Sequence, residues 1–135
     1  DVRVFCGGCL VVGAPAYRDE PRAAERLACD AVFEGWPLVV LTDEPARAAA
    51  SVMNFLWTTF TRFEPAADIY AAERRIVRNH IAYHGPVVID ARLKPGFPDE
   101  LTCREDIAQL VTRRWKEYFP SGRVAMGDSE RAHLD

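Results

Sequence analysis

Cys6-Gly7-Gly8-Cys9, set in an apolar run from Val4 to Val12, has the spacing of two chemistries. A C-x-x-C pair forms a reactive disulfide when a helix N-terminus lowers the pKa of its first thiol. The same pair gives two thiolates to zinc when two further ligands converge on it. Here Cys9 leads into Leu10-Val11-Val12, a predicted strand, so the activating helix dipole is missing. For zinc, His80 and His84 are the candidate further ligands, because a segment read as helical puts i and i+4 on one face. A non-catalytic, zinc-stabilised interaction module built on Cys6, Cys9, His80 and His84 is the alternative reading. The leading one is a glycine-bent sheet edge with incidental thiols. Cys29, among small apolar neighbours in a helical pattern, reads as a reduced, buried thiol.

Carboxylates are the other candidates for chemistry. Asp30, Asp43, Glu44 and Asp90 have the side chains that acid–base pairs need. Asp43 and Glu44 close a predicted strand, where open α/β sheets place ligands. They also precede a helix, where acidic residues cap and complement the dipole, and capping is preferred. Asp90 ends the buried run Val87-Val88-Ile89 and needs a partner. Arg62 is the expected one, in a structural salt bridge. No G-x-G-x-x-G, P-loop or G-x-S-x-G pattern occurs. Trp36, Trp57, Phe60 and Phe63 read as core aromatics. No complete catalytic constellation exists, and no catalytic or metal-binding residue is assigned.

The elements that must position these residues follow from the apolar pattern. Strands are predicted around Val2–Val12 (broken at the glycines), Pro37–Leu41 and Val87–Ile89, with a short one near Ile69. Pro21 and Pro45 start helices. Ala24, Leu27, Ala28 and Ala31 share one face of the first. Ala49, Val52, Met53, Leu56 and Phe60 form a core-facing stripe on the second. Ile76, Val77, His80 and Ile81 fit a helix stopped by Gly85. Thr102 and Glu105 form a capping box for a last helix whose Ile107, Leu110, Val111, Trp115 and Tyr118 face the core. The fold class is therefore α/β, a three-layer α/β/α sandwich with a mainly parallel or mixed sheet. One domain spans 1–119, and 120–135 is an irregular tail.

With 17 basic against 20 acidic residues the net charge is −3, which argues against nucleic acid as a partner. No apolar run approaches the ~18 residues of a membrane span, and no signal-peptide pattern leads the chain. A cytoplasmic location is expected. A chain that begins at Asp1 reads as a processed product or an excised domain.

The stretch 38–70 resembles the C-terminal domain of the UbiD-type carboxy-lyases. It carries Val39-Val40, Asp43-Glu44, Trp57…Thr61-Arg62 and Glu64-Pro65…Asp68-Ile69 in the family's order. "GPVVIDARLKPGFP" is similar to the family's glycine, buried strand, Asp-Ala and proline-bearing loop. "IAQLVTRRWKEYF" is similar to the final helix of its ferulate-type branch. The resemblance covers about residues 9 to 119.

The resemblance implies an enzyme that reversibly decarboxylates aromatic or α,β-unsaturated acids using prenylated FMN, held with Mn2+ and K+. The family's Glu-Arg-Glu proton-transfer set and its flavin site lie in a larger N-terminal domain, whose motifs this chain lacks. No cofactor is therefore expected to bind this chain alone. Its implied role is that of a C-terminal domain or small subunit serving oligomerisation, as a homodimer or higher oligomer, and active-site closure. The implied partner is a catalytic, prenylated-FMN-binding domain or subunit. Phe5, Trp57 and Phe60 are the expected cleft-side residues, while Arg62 and Asp90 organise the interior.

Overall fold

The structure is a computed structural model, and it describes residues 1–98 and 103–124. The chain divides into two compact units, Asp1–Phe97 and a second beginning at Pro98.

In the first unit, three runs of β-branched and leucine residues form the centre of a sheet: β2 (Cys9–Gly13), β3 (Leu38–Thr42) and β7 (Val87–Asp90). They pair in parallel, with Leu10 beside Val39 and Val39 beside Val88. β1 (Val2–Cys6) adds antiparallel at one edge and β4 (Ile69–Tyr70) at the other, giving the order β1-β2-β3-β7-β4. Strands buried on both faces read as continuous apolar runs, which is why these were legible. Leu10, Val12, Val39, Leu41 and Val88 pack under α1 (Ala23–Ala28) through Ala23, Ala24 and Ala28. Cys9, Val11, Val40 and Ala91 pack on the opposite face against Ala48 of α2 (Pro45–Ala48) and Phe55 of α3 (Val52–Arg62). The α/β sandwich with a mixed sheet is thus observed.

Helix α3 turns the other way from expectation. Ser51 caps it, accepting from the Asn54 N–H at 3.1 Å, so the predicted single helix breaks into α2 and α3, with Ala49 at the C-cap of α2. Its buried face is Asn54, Phe55, Thr58, Thr59 and Arg62. Of the predicted stripe Ala49 packs against the core, whereas the rest faces outward, with Val52, Met53 and Phe60 each more than 60% exposed (66%, 63% and 62%) and Leu56 at 45%. Polar groups tolerate this burial where they find partners. Asn54 does so through the Arg47 carbonyl at 3.2 Å, whereas Thr59 Oγ1 finds none among the described residues.

The segment read as a helix ending at Gly85 is a β-hairpin, β5 (Glu73–Val77) and β6 (His80–His84), forming a separate two-stranded sheet. Arg78 and Asn79 both take positive φ, 50° and 65°, the backbone of a tight two-residue hairpin turn. Two five-residue runs separated by two residues, the second Asn, carried that signal. Short apolar runs fit a helical period equally well, and the periodicity misled. Cys29 is exposed at the C-cap of α1 rather than buried: the helix buries Ala28 in its last turn and ends before Cys29.

In the second unit α4 runs Glu105–Tyr118. Thr102 lies outside the described residues, and the N-cap is Arg104, which makes no side-chain cap bond. None of the expected stripe is buried: Ile107, Leu110 and Tyr118 are exposed, and Val111 and Trp115 half-buried. Trp115 packs on Phe119 with ring centroids 4.4 Å apart and donates Nε1–H to the Val124 carbonyl at 2.9 Å. No helix of the described residues is long and apolar enough to cross a membrane.

Candidate functional site

Parallel strands end together, and the loops beyond β2, β3 and β7 converge at one end of the sheet, the usual ligand position of an open α/β fold. What fills that end is a charged network. Asp90 and Arg92 are both fully buried. Arg92 meets the carboxylate with two bonds, Nε to Oδ1 at 2.9 Å and Nη2 to Oδ2 at 2.7 Å. Its remaining nitrogen, Nη1, donates to the carbonyls of Pro15 at 2.9 Å and Glu20 at 3.0 Å. Burial alone would lower the Arg92 pKa, but pairing with Asp90 outweighs it and the guanidinium sits above its ordinary value. One residue thereby ties the ends of β7 and β2 to the approach of α1.

Lys94 makes the second knot. Its Nζ donates to the carbonyls of Asp90 at 2.7 Å, Arg62 at 3.0 Å and Arg92 at 3.3 Å, and stands 3.1 Å from Asp68 Oδ2. Asp68 Oδ2 also accepts from the Glu64 N–H at 2.7 Å, fixing the turn that leads from α3 into β4. The Tyr17 ring lies over both cations, 5.2 Å from Arg92 and 5.6 Å from Lys94. Tyr70 has its phenol pKa raised by burial, with the nearby Asp68 and Asp90 charges adding to it.

Asp43 accepts from the Leu93 N–H at 2.7 Å and stands 3.8 Å from Arg62 Nη1. The partner of Asp90 is therefore Arg92, and Arg62 pairs with Asp43 and offers its carbonyl to Lys94. The capping role expected of Asp43 and Glu44 is not made. Asp43 reaches across to the β7 loop, and Glu44, at the N-cap of α2, makes no side-chain cap bond and pairs with Arg47 at 3.2 Å. Asp30 does cap, accepting from the Val32 N–H at 3.0 Å. Arg92, Lys94 and Tyr17 were not singled out from sequence, and Asp68 was marked only as part of the stretch that resembles the family. The signal was the alternation of Asp90, Arg92 and Lys94, which at period two puts all three on one side of an extended chain.

The zinc set is not assembled. His80 and His84 lie on β6, where four residues span ~13 Å, while Cys6 and Cys9 face each other across β1 and β2. Among the described residues no three potential ligands cluster for a metal ion. Of the cleft candidates, Phe5 stacks on Phe55 with ring centroids 4.0 Å apart. Phe60 projects from α3 with its edge on Phe63 at 5.6 Å, and Trp57 is half-buried. None of the three lines either described cavity. One of ≈ 340 Å³ lies on the hairpin by Glu73, Arg75 and His84, and one of ≈ 250 Å³ lies between α1 and the hairpin base by Cys29, Asp30 and Glu34.

Chemically, the carboxyl-end network is closed. Arg92 and Lys94 are committed to carboxylates and carbonyls, so neither is left to hold a phosphate, and among the described residues of this network each carboxylate faces a cation rather than another carboxylate. The donor set does not fit the phosphate of a flavin.

No family model matches the chain, and no solved structure matches it. It is 36% identical over 121 residues, 90% of its length, to a Chlamydia pneumoniae protein named as a subunit of 4-hydroxybenzoate decarboxylase. It is 35% identical over 126 residues, 88% of its length, to an uncharacterised protein of Chlamydia trachomatis. The chain spans about one fifth (20%) of the length of these curated relatives, and is thus similar to one segment of a longer chain.

Proposed function

We propose that this chain is the C-terminal module or small subunit of a UbiD-type (de)carboxylase, acting on aromatic or α,β-unsaturated carboxylic acids, and that it serves assembly and active-site closure. The observation that carries the reading is the outward face of α3. Val52, Met53, Leu56 and Phe60 form a contiguous apolar stripe with no charged residue in it, on a helix whose polar face is buried. A helix inverted in this way needs an apolar neighbour. About four fifths of each longer relative lies outside the matched segment and can supply it.

The closed network at the strand ends supports a scaffolding role: it ties together the loops that a catalytic fold leaves open to a ligand. Prenylated FMN, with Mn2+ and K+, supplies the electron sink for decarboxylation when bound, and belongs on this reading to the remaining, catalytic part. The chain's own contribution is positional: α3 docks, and Arg92 and Lys94 keep the sheet end behind it rigid. The name of the C. pneumoniae relative supports a benzoate-type acid as substrate.

The test is the Leu56→Asp/Phe60→Asp double variant in the longer protein. Both residues are exposed here, so the module should still fold, while association with the remainder is lost and decarboxylation falls at least tenfold. Retained association and full turnover would remove the reading.

A further inference from the structure

The opening hairpin holds a thiol pair that neither the ion-pair network nor the α3 face uses. Cys6 ends β1 and Cys9 begins β2, with only Gly7 and Gly8 between them. The two cysteines are direct partners in the ladder. Opposed residues of antiparallel strands stand about 4.5–5.5 Å apart at Cα, inside the ~4.4–6.8 Å window of a disulfide. Gly8 holds the turn at φ +90°, and an added Cβ there would press on Pro37 at 3.3 Å, so the approach of the two strand ends is set by the backbone. The pair is also asymmetric: Cys6 is exposed, whereas Cys9 is buried beside Val11, Val40 and Phe55.

We infer that Cys6 and Cys9 are a reversible thiol–disulfide pair, closed in the folded chain by a small disulfide of the glutathione type. The exposed Cys6 thiolate attacks one sulfur of the oxidant, forming a mixed disulfide and releasing one glutathione thiolate, which takes up a proton. Cys9 gives up its proton to water when the β1 edge opens, and its thiolate attacks Cys6 Sγ. The Cys6–glutathione bond breaks, and the second glutathione leaves as a thiolate. In sum, two cysteine thiols lose two electrons and two protons, and one glutathione disulfide gains them.

A loop this short gains little from chain entropy when closed, so the bond is a switch rather than a staple. What it switches is the sheet edge. β1 is an edge strand and carries a bulge between Val4 and Cys6. Phe5, within that bulge, stacks on Phe55 of α3. Closing Cys6 onto Cys9 pins the bulge, and with it the one aromatic contact between β1 and α3 among the described residues.

The test treats the folded chain with glutathione disulfide, blocks remaining thiols with N-ethylmaleimide, and weighs the tryptic peptide 4–18, which contains both cysteines. The expected product is this peptide 2 Da lighter by loss of two hydrogens, without glutathione or maleimide, and restored by dithiothreitol. Backbone amide exchange of β1 should slow several-fold in the oxidised form. Cys9→Ser should trap glutathione on Cys6, and Cys6→Ser should leave Cys9 unmodified. A Cys29→Ser/Cys103→Ser background, at two exposed positions, should behave as the parent and guards against reactions at those thiols. Accumulation of a Cys6–glutathione adduct in the parent chain overturns the proposal. So does an unmodified peptide while Cys29 or Cys103 reacts, or a closed pair with unchanged β1 exchange.

Discussion

Asp90→Asn keeps the shape of the side chain and removes its charge, which isolates what the Asp90–Arg92 pair contributes. Both residues are 0% exposed and meet through bonds of 2.9 and 2.7 Å. Arginine stays protonated in any protein interior, so the variant leaves a buried, uncompensated guanidinium. Breaking such a pair from one side costs about 3–5 kcal/mol. The Pro15 and Glu20 carbonyls still accept from Arg92 at 2.9 and 3.0 Å, so the lower end, ~3 kcal/mol, is expected. That is a large share of the ~5–15 kcal/mol of a typical domain. At ~4–8 °C per kcal/mol for a unit of this size, Tm should fall by about 12–24 °C. The Asp90→Asn/Arg92→Met double variant removes both charges but leaves those two carbonyls without a donor, and should end ~1–3 kcal/mol below the parent. Urea unfolding followed by circular dichroism measures all three. A single-variant loss below ~1 kcal/mol would refute the idea that this pair closes the sheet end.

Further predictions concern the sheet edge, the hairpin and pH. Burial, then Cys6, pushes the Cys9 thiol from 9.0 up to about 11. A raised folded-state pKa gives stability that is present below pH 9 and lost as pH rises toward 11, up to about 2.7 kcal/mol at ~1.36 kcal/mol per unit. Tyr70, also raised, adds a loss of the same sign above pH 10. Denaturation midpoints between pH 8 and 11 check both, and Cys9→Ala should flatten the slope. Gly13→Ala would set a Cβ 2.8 Å from Pro45 Cγ, costing about 1–3 kcal/mol by overpacking the start of α2. An unchanged unfolding midpoint would show that Pro45 yields freely. Asn79→Val forces a β-branched residue to φ 65°, costing ~1–2 kcal/mol locally. Amide exchange in β5 and β6 should rise while that of β2 and β3 stays level.

Sequence made β2, β3 and β7 legible because both of their faces are buried, and apolar continuity is all that such strands require. Asp90 stood out for the complementary reason, as an acid closing a buried run. Its partner was misplaced because Arg92 lies just past the end of β7, outside the buried apolar run by which the strand was read. The face of α3 was illegible for a deeper reason. Asn54, Thr58, Thr59 and Arg62 are buried against the sheet, and a hydrophobic pattern assigns such residues to solvent. The hairpin failed on length: in Ile76, Val77, His80 and Ile81 a period of 3.6 and two short strands cannot be told apart without the turn at Arg78-Asn79. The cysteines were legible as a pair, and only the ladder showed that they face each other.

The most direct measurement is CO2 release from 4-hydroxybenzoate by three samples supplied with prenylated FMN, Mn2+ and K+. The first is the complete decarboxylase of the proposed reading, whether one polypeptide or two, the second the 135-residue chain alone, and the third the proposed catalytic part recombined with the chain. Turnover by the first and third, with none by the second, is the expected result. Turnover by the chain alone would contradict a non-catalytic module and place the chemistry within these residues.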